Sequence, residues 1–215
     1  MLCAILLLAC GCSAQEQETD AVSAATMTRY RENEIREYQG ARLDPAVGPR
    51  DNSIKGVQQV DIQTYALSID GLVDAPQTLT YQEVLALPAQ ERLITLYCVE
   101  GWDATILWKG VLLEDLLARA GVQEEAVTVI FSATDGYTTS LPLQTILDKQ
   151  LILAYQANGI TLPPEMGYPF IVVAEDKLGY KWARWVTGIT LSDDTDYQGY
   201  WESNGYSNDA SVDGE

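Results

Sequence analysis

The residue whose type and setting most invite chemistry is Cys98, in the stretch Leu96-Tyr97-Cys98-Val99-Glu100-Gly101-Trp102. A thiolate suits soft or high-valent metal centres, but a single one cannot hold a metal alone. Its remaining ligands would have to come from a cofactor. The run from Arg92 to Cys98 favours β structure, which puts the cysteine at a strand's C-terminal end, followed by an irregular turn containing Gly101. Trp102 and Trp108 can wall a pocket beside it. The plain alternative is a small buried hydrophobe, the usual fate of a lone cysteine.

Other catalytic patterns are mostly excluded. The chain has no histidine, so Ser-His-Asp and Cys-His arrangements and His-ligated zinc or haem are ruled out. There is neither a phosphate-cradling glycine-rich loop before a helix nor a paired CxxC. Carboxylates that could share acid–base work fall in expected loops at Glu100, Asp103, Asp135, Glu165 and Asp176, although acidic loop residues are usually only solvated.

The elements that must position Cys98 can be read from periodicity. Tyr65, Leu67 and Ile69 alternate with polar or small neighbours, as in a half-buried strand. Thr80-Tyr81-Gln82-Glu83 is a capping box opening a short helix that Pro88 closes. Leu112 to Ala120 is a second amphipathic helix with Gly121 as its cap, and Leu141 to Leu147 another short one. Val127–Ala133, Leu151–Gln156, Phe170–Ala174 and Lys181–Leu191 read as strands, with a turn at Asp135-Gly136. Short helices scattered among many strands predict an α+β fold with mixed β-sheets in a single domain, here placed at residues 46–207.

Composition bounds the surroundings. With 31 acidic against 13 basic residues, the net charge of −18 repels nucleic acid and anionic membrane surfaces. A hydrophobic share of 47% is ample for one core. Residues 1–14 differ: an apolar run from Leu2 to Ala9 precedes Cys10-Gly11-Cys12, and is shorter than the roughly 20 residues of a spanning helix. It reads as an export signal, although no Lys or Arg precedes it, and Leu7-Leu8-Ala9-Cys10 looks like a bacterial lipobox acylated at Cys10. The expectation is an extracytoplasmic bacterial lipoprotein that touches the membrane through its lipid anchor only. Residues 15–45 would form a flexible tether and 208–215 a loose acidic tail. The aromatic stretch Gly199 to Tyr206 should dock on the domain near the site.

Four segments resemble the sulfite-oxidase-type molybdopterin-binding domain in their order and spacing. They are Cys98-Val99-Glu100-Gly101-Trp102, Leu107-Trp108-Lys109-Gly110-Val111, Asn158 to Pro169 and Gly179-Tyr180-Lys181-Trp182. The likeness is strongest to the haem-free bacterial members, which include the periplasmic methionine sulfoxide reductase catalytic subunit. It implies one molybdenum–molybdopterin cofactor per chain, with Cys98 matching the protein ligand that joins the pterin's sulfurs and the oxo groups on the metal. It implies oxygen-atom transfer, with electrons exchanged through a separate electron-transfer protein or carrier. Asn52 and Lys55 stand in a loop that relatives use to hold the cofactor, and Gly179, Lys181 and Arg184 in a segment that grips the pterin phosphate. Ala133 and Phe170 replace a polar and a basic cofactor contact of some relatives.

Sulfite oxidases present clustered arginines to their anion, and none are grouped near Cys98 here. The expected substrate is therefore a small neutral S-oxide or N-oxide, in a pocket lined by Trp102, Tyr137 and Tyr168. A non-catalytic module that keeps the fold and binds a ligand or partner is the second reading. A surface-anchored structural lipoprotein is the third, and it leaves the Cys98 segment unexplained.

Overall fold

The structure is a computed structural model and describes residues 22–213. The expected signal segment and Cys10 lie outside the described residues. The first element is α1 (Ala24–Arg31), capped by the Ser23 hydroxyl, which accepts the Thr26 N–H at 3.1 Å. Two short strands follow, β1 (Glu37–Tyr38) and β2 (Ala41–Arg42), and pair with each other. From Val22 onward the expected tether is thus part of the fold. Leu43 is fully buried, and Ile35 N–H donates to the Asn158 carbonyl. The buried Glu34 carboxylate accepts from Ala46 N–H at 2.7 Å and from Asn158 Nδ2 at 3.0 Å. These polar contacts leave no apolar period in the sequence, which is why the segment reads as linker.

The body begins with β3 (Leu67–Gly71), β4 (Gln77–Leu79) and α2 (Tyr81–Leu85), whose Thr80–Glu83 capping box forms as expected. Next come β5 (Ala89–Tyr97), β6 (Asp103–Leu112), α3 (Leu113–Ala120), β7 (Thr128–Ala133), β8 (Thr138–Pro142) and α4 (Leu143–Asp148). Last are β9 (Ile152–Ala157), β10 (Ile160–Thr161), β11 (Ile171–Val173) and β12 (Val186–Ser192). One five-stranded sheet runs β10-β9-β6-β5, with β11 also on β9; the other runs β4-β3-β12-β7-β8. All of these pairings are antiparallel except β3 with β12. Ile94, Ile106 and Trp108 from the first sheet share a core with Ile69, Phe131 and Ile189 from the second, and α3 contacts both β3 and β6. The architecture is the expected α+β fold.

Two boundaries move. The strand expected from Lys181 starts only at Val186, because Gly179–Lys181 is a 3-10 turn closed by Lys181 N–H to the Leu178 carbonyl. That turn sends the Lys181 side chain inward. The end of the chain is also not loose as far as Asp213: Leu178 N–H donates to the Ala210 carbonyl, and Val212 N–H to Asp176. Ala210 is buried. No helix among the described residues is long and apolar enough to cross a membrane.

Candidate active site

Cys98 follows the last residue of β5, where the β5–β6 hairpin opens at the Tyr97–Asp103 pair. The loop is tied at both ends: Cys98 N–H donates to the Trp102 carbonyl at 2.9 Å and Gly101 N–H to the Cys98 carbonyl at 3.0 Å. Gly101 takes φ +84°, a left-handed conformation that glycine adopts without penalty. A parallel bridge between Tyr97 and Leu178 brings the segment before β12 alongside. A side chain at Gly179 would stand 3.4 Å from the Tyr97 carbonyl oxygen. On the other side, the loop from Gly48 to Ile54 lies over Trp102. A methyl group at Gly48 would come within 2.9 Å of that indole, so the close approach requires glycine.

These segments enclose a cavity of about 350 Å³, in the range of small-molecule and cofactor sites. The half-buried Cys98 opens onto it and is the one free cysteine among the described residues. Burial raises its pKa above the ordinary thiol value. Hydrogen bonds from the Glu100 backbone and Asn52, and the charge of Arg184, pull the other way, while the Glu100 charge raises it. Asn52 Nδ2 reaches the Cys98 sulfur at 3.4 Å and Glu100 Oε2 at 3.1 Å. Trp102 Nε1 donates to the same carboxylate at 3.3 Å.

The cavity's two arginines are each paired with a carboxylate. Arg50 Nε lies 3.5 Å from Glu100, and Arg184 Nη1 3.3 Å from Asp51. Arg184 also donates to the Glu165 carbonyl at 2.9 Å and stacks on the Trp185 ring at 4.6 Å. Burial lowers its pKa from the usual arginine value, against the opposing charges of Asp51 and Asp135. Tyr137 gives its hydroxyl hydrogen to the Tyr180 carbonyl, so it offers the cavity mainly a ring face. Trp182 and Trp201 add further aromatic surface.

Asn52, Trp102, Tyr137, Gly179 and Arg184 therefore gather around Cys98 as expected. Lys55 is exposed beside this group, its ammonium 3.3 Å from where a side chain at Gly136 would begin. Three expectations need correction. Lys181 is fully buried and faces away from the cavity; its ammonium donates to Glu202 Oε1 at 2.5 Å, Asn208 Oδ1 at 2.8 Å and the Ser140 carbonyl at 3.1 Å. Tyr168 is not in the cavity wall and packs on Tyr81 at 5.8 Å. Trp108 is core, packed against Trp182 with the rings tilted, and its Nε1 donates to the Ile94 carbonyl. The 3-10 turn carries Lys181 out of the site, burial in β6 carries Trp108 into the core, and Tyr168 sits in the loop before β11, packed on Tyr81.

Of the five loop carboxylates, Glu100, Asp135 and Glu165 line the cavity and Asp103 and Asp176 do not. Ala133 and Phe170 are buried, Phe170 against Tyr65 and Tyr81. Sequence reasoning missed Arg50 and Asp51. Their only signal was adjacency to Asn52 and Ser53 in a loop whose course over Trp102 is a tertiary fact.

Residues 54–201 match the family described as oxidoreductase molybdopterin binding domain. The chain is 40% identical over 147 residues to the oxidoreductase YuiH of Bacillus subtilis (strain 168), an alignment spanning 68% of this chain and 74% of that protein. It is 29% identical over 145 residues to the protein-methionine-sulfoxide reductase catalytic subunit MsrP of Ralstonia nicotianae, spanning 60% of this chain but only 44% of that one. The crystal structure of the sulfane dehydrogenase SoxCD from Paracoccus pantotrophus is similar in fold, with a TM-score of 0.62 and 27% identity over 65% of this chain and 41% of that chain.

Proposed function

The chain belongs to the oxidoreductase molybdopterin-binding domain family, and on that premise we propose that it reduces a small neutral S-oxide or N-oxide, with Cys98 as the protein ligand to molybdenum. The protein is a molybdopterin-dependent oxidoreductase, and its cofactor is molybdenum–molybdopterin. The donor set fits that group. Among the described residues, no cluster of three His, Cys, Asp or Glu side chains could hold a metal ion, whereas one thiol opens onto a cavity of cofactor size. A metal held by Cys98 would therefore take its other ligands from the cofactor and from oxygen. When bound, the cofactor supplies the two-electron oxygen-atom exchange.

The chain's own residues position and shield. Asn52 orients the Cys98 sulfur through its amide, while the Gly101 turn fixes the backbone that carries it. Arg184 and, beside the cavity, Lys55 are the cations that would hold the pterin phosphate, with the Gly179 backbone in the wall next to them. Trp102, Tyr137 and Trp182 line the cavity and would exclude water around a bound cofactor.

The observation that carries the substrate class is the pairing of both cavity arginines with Glu100 and Asp51. With Arg184 shared between Asp51 and the pterin phosphate it would hold, and Arg50 matched by Glu100, no cavity arginine is left over for a second anion such as sulfite; Asp135 and Glu165 in the wall disfavour one further, and a neutral oxide suits the space. No histidine is present to ligate haem, so electrons come from a separate protein or carrier; the name of the MsrP relative, a catalytic subunit, supports such a partner. The apolar run before Cys10 supports action outside the cytoplasm from a lipid anchor.

Native protein should carry about one molybdenum and one pterin per chain, and reduce an S-oxide with a chemical electron donor. Cys98→Ser should fold normally and lose turnover by orders of magnitude. Full turnover in that variant would remove Cys98 from the metal. Oxidation of sulfite without reduction of any S-oxide or N-oxide would overturn the substrate class.

A further inference from the structure

After β12 the chain returns across the cavity as a strap, and two of its rings, Trp201 and Tyr206, form part of the cavity wall. The family match ends at residue 201, so Tyr206 lies beyond the matched residues, as do Glu202, Ser207 and Asp209 of the strap, while the groups that hold them lie within the match. The strap is held on both sides of these rings. Before them, Tyr200 N–H donates to the Thr138 carbonyl at 2.9 Å. Between them, the buried Glu202 carboxylate receives the Lys181 ammonium and, at 2.7 Å, the Thr139 hydroxyl. After them, Tyr180 donates its hydroxyl to the Ser207 carbonyl at 2.7 Å, and Lys177 donates to Asp209 at 2.8 Å.

Within this frame the rings form a continuous aromatic face. Trp201 and Tyr206 lie 5.1 Å apart, and Tyr206 meets Tyr180 edge-on at 5.3 Å. Tyr206 is nevertheless 40% exposed, and Val99, next to Cys98 and also in the cavity wall, is 48% exposed. Rigidly held apolar surface left open at the rim of a cavity marks a contact site, and aromatic faces favour aryl, alkyl and sulfur-bearing groups.

We propose that Trp201 and Tyr206 are specificity determinants that bind the apolar substituent on the oxide substrate, so that the enzyme prefers oxides bearing aryl or bulky alkyl groups. The Lys181–Glu202 pair acts one step back, as a positioning device for the two rings. The assignment rests on the neutral-oxide reading above.

The test compares molybdenum-loaded wild type, Tyr206→Ala and Tyr206→Phe on methyl phenyl sulfoxide and dimethyl sulfoxide with a chemical electron donor. Tyr206 is exposed enough for these changes to leave the core intact. The ratio of kcat/KM for the aryl over the dimethyl substrate should fall about 2- to 12-fold in Tyr206→Ala, chiefly through KM, as expected for one lost aromatic contact. Tyr206→Phe should keep the wild-type ratio. An unchanged ratio in Tyr206→Ala overturns the assignment. If wild type reduces neither sulfoxide, the neutral-oxide reading fails separately, and tryptophan fluorescence titrated with methyl phenyl sulfoxide decides the strap's role. Tighter binding by wild type than by Tyr206→Ala supports it; equal binding or none overturns it.

Discussion

Arg184 shows how one side chain can serve the fold and the site together. Its guanidinium reaches Asp51 and the Glu165 carbonyl and lies over Trp185, yet it also borders the cavity. A planar fork suits phosphate as well as carboxylate, and lysine offers only a point charge. Arg184→Lys should therefore fold but retain several-fold less pterin, measured as pterin fluorescence released on denaturation per chain. Full retention would assign Arg184 to Asp51 and Glu165 alone. Lys181 teaches the opposite lesson: a basic residue three positions away in the same segment is spent entirely on Glu202 and its neighbours.

At the scale of elements, the last turn of chain behaves as a pH-sensitive strip. Hydrogen bonds from Lys177 and Ser211 hold the Asp209 carboxyl below its usual value of 3.8. A depressed folded value means that this contribution is complete above the unfolded value and is lost as the pH falls through the lowered one. The amides of Leu178 and Val212, bonded to and from this strip, should lose protection from hydrogen exchange progressively as the pH is lowered below the unfolded carboxyl range, while β9 amides remain protected. Asp209→Asn should remove that difference. Because Asp209 is largely exposed, global stability should change little.

On the scale of the whole molecule, the buried Lys181–Glu202 pair joins three distant parts of the chain: β8 through Ser140 and Thr139, the 3-10 turn before β12, and the strap. Among the described residues Glu202 Oε2 has no hydrogen-bond partner, so within them the pair is not a fully satisfied network. Removing one member leaves an uncompensated buried charge, whereas replacing both with apolar groups removes the desolvation cost as well. Glu202→Ala should destabilise by about 3–5 kcal/mol in denaturant titrations. The double change Lys181→Met with Glu202→Leu should recover much of that loss. If the double variant were as unstable as the single one, the network's geometry rather than its charge would be what the fold requires.

What was legible in the sequence is what depends on local chemistry. The capping box at Thr80, the strand runs around Ile69, Phe131 and Leu153, and the glycine turn after Cys98 are set by neighbours a few residues away, and all form as read. The absence of histidine, together with Cys98 as the single cysteine of the expected domain and its place at a strand end, pointed to a cofactor-assisted thiolate, and the ordered segments pointed to the family. Only the tertiary structure decided which charges face the cavity. Period and propensity say which face of an element is apolar, but not which other segment will lie across it. So the loop carrying Arg50 and Asp51, the inward turn of Lys181 and the departure of Tyr168 could not be read from local pattern, whereas the aromatic stretch Gly199 to Tyr206 docks at the cavity as expected. The partners of these groups lie from 21 residues away, as for Lys181 and Glu202, to 133, as for Arg184 and Asp51.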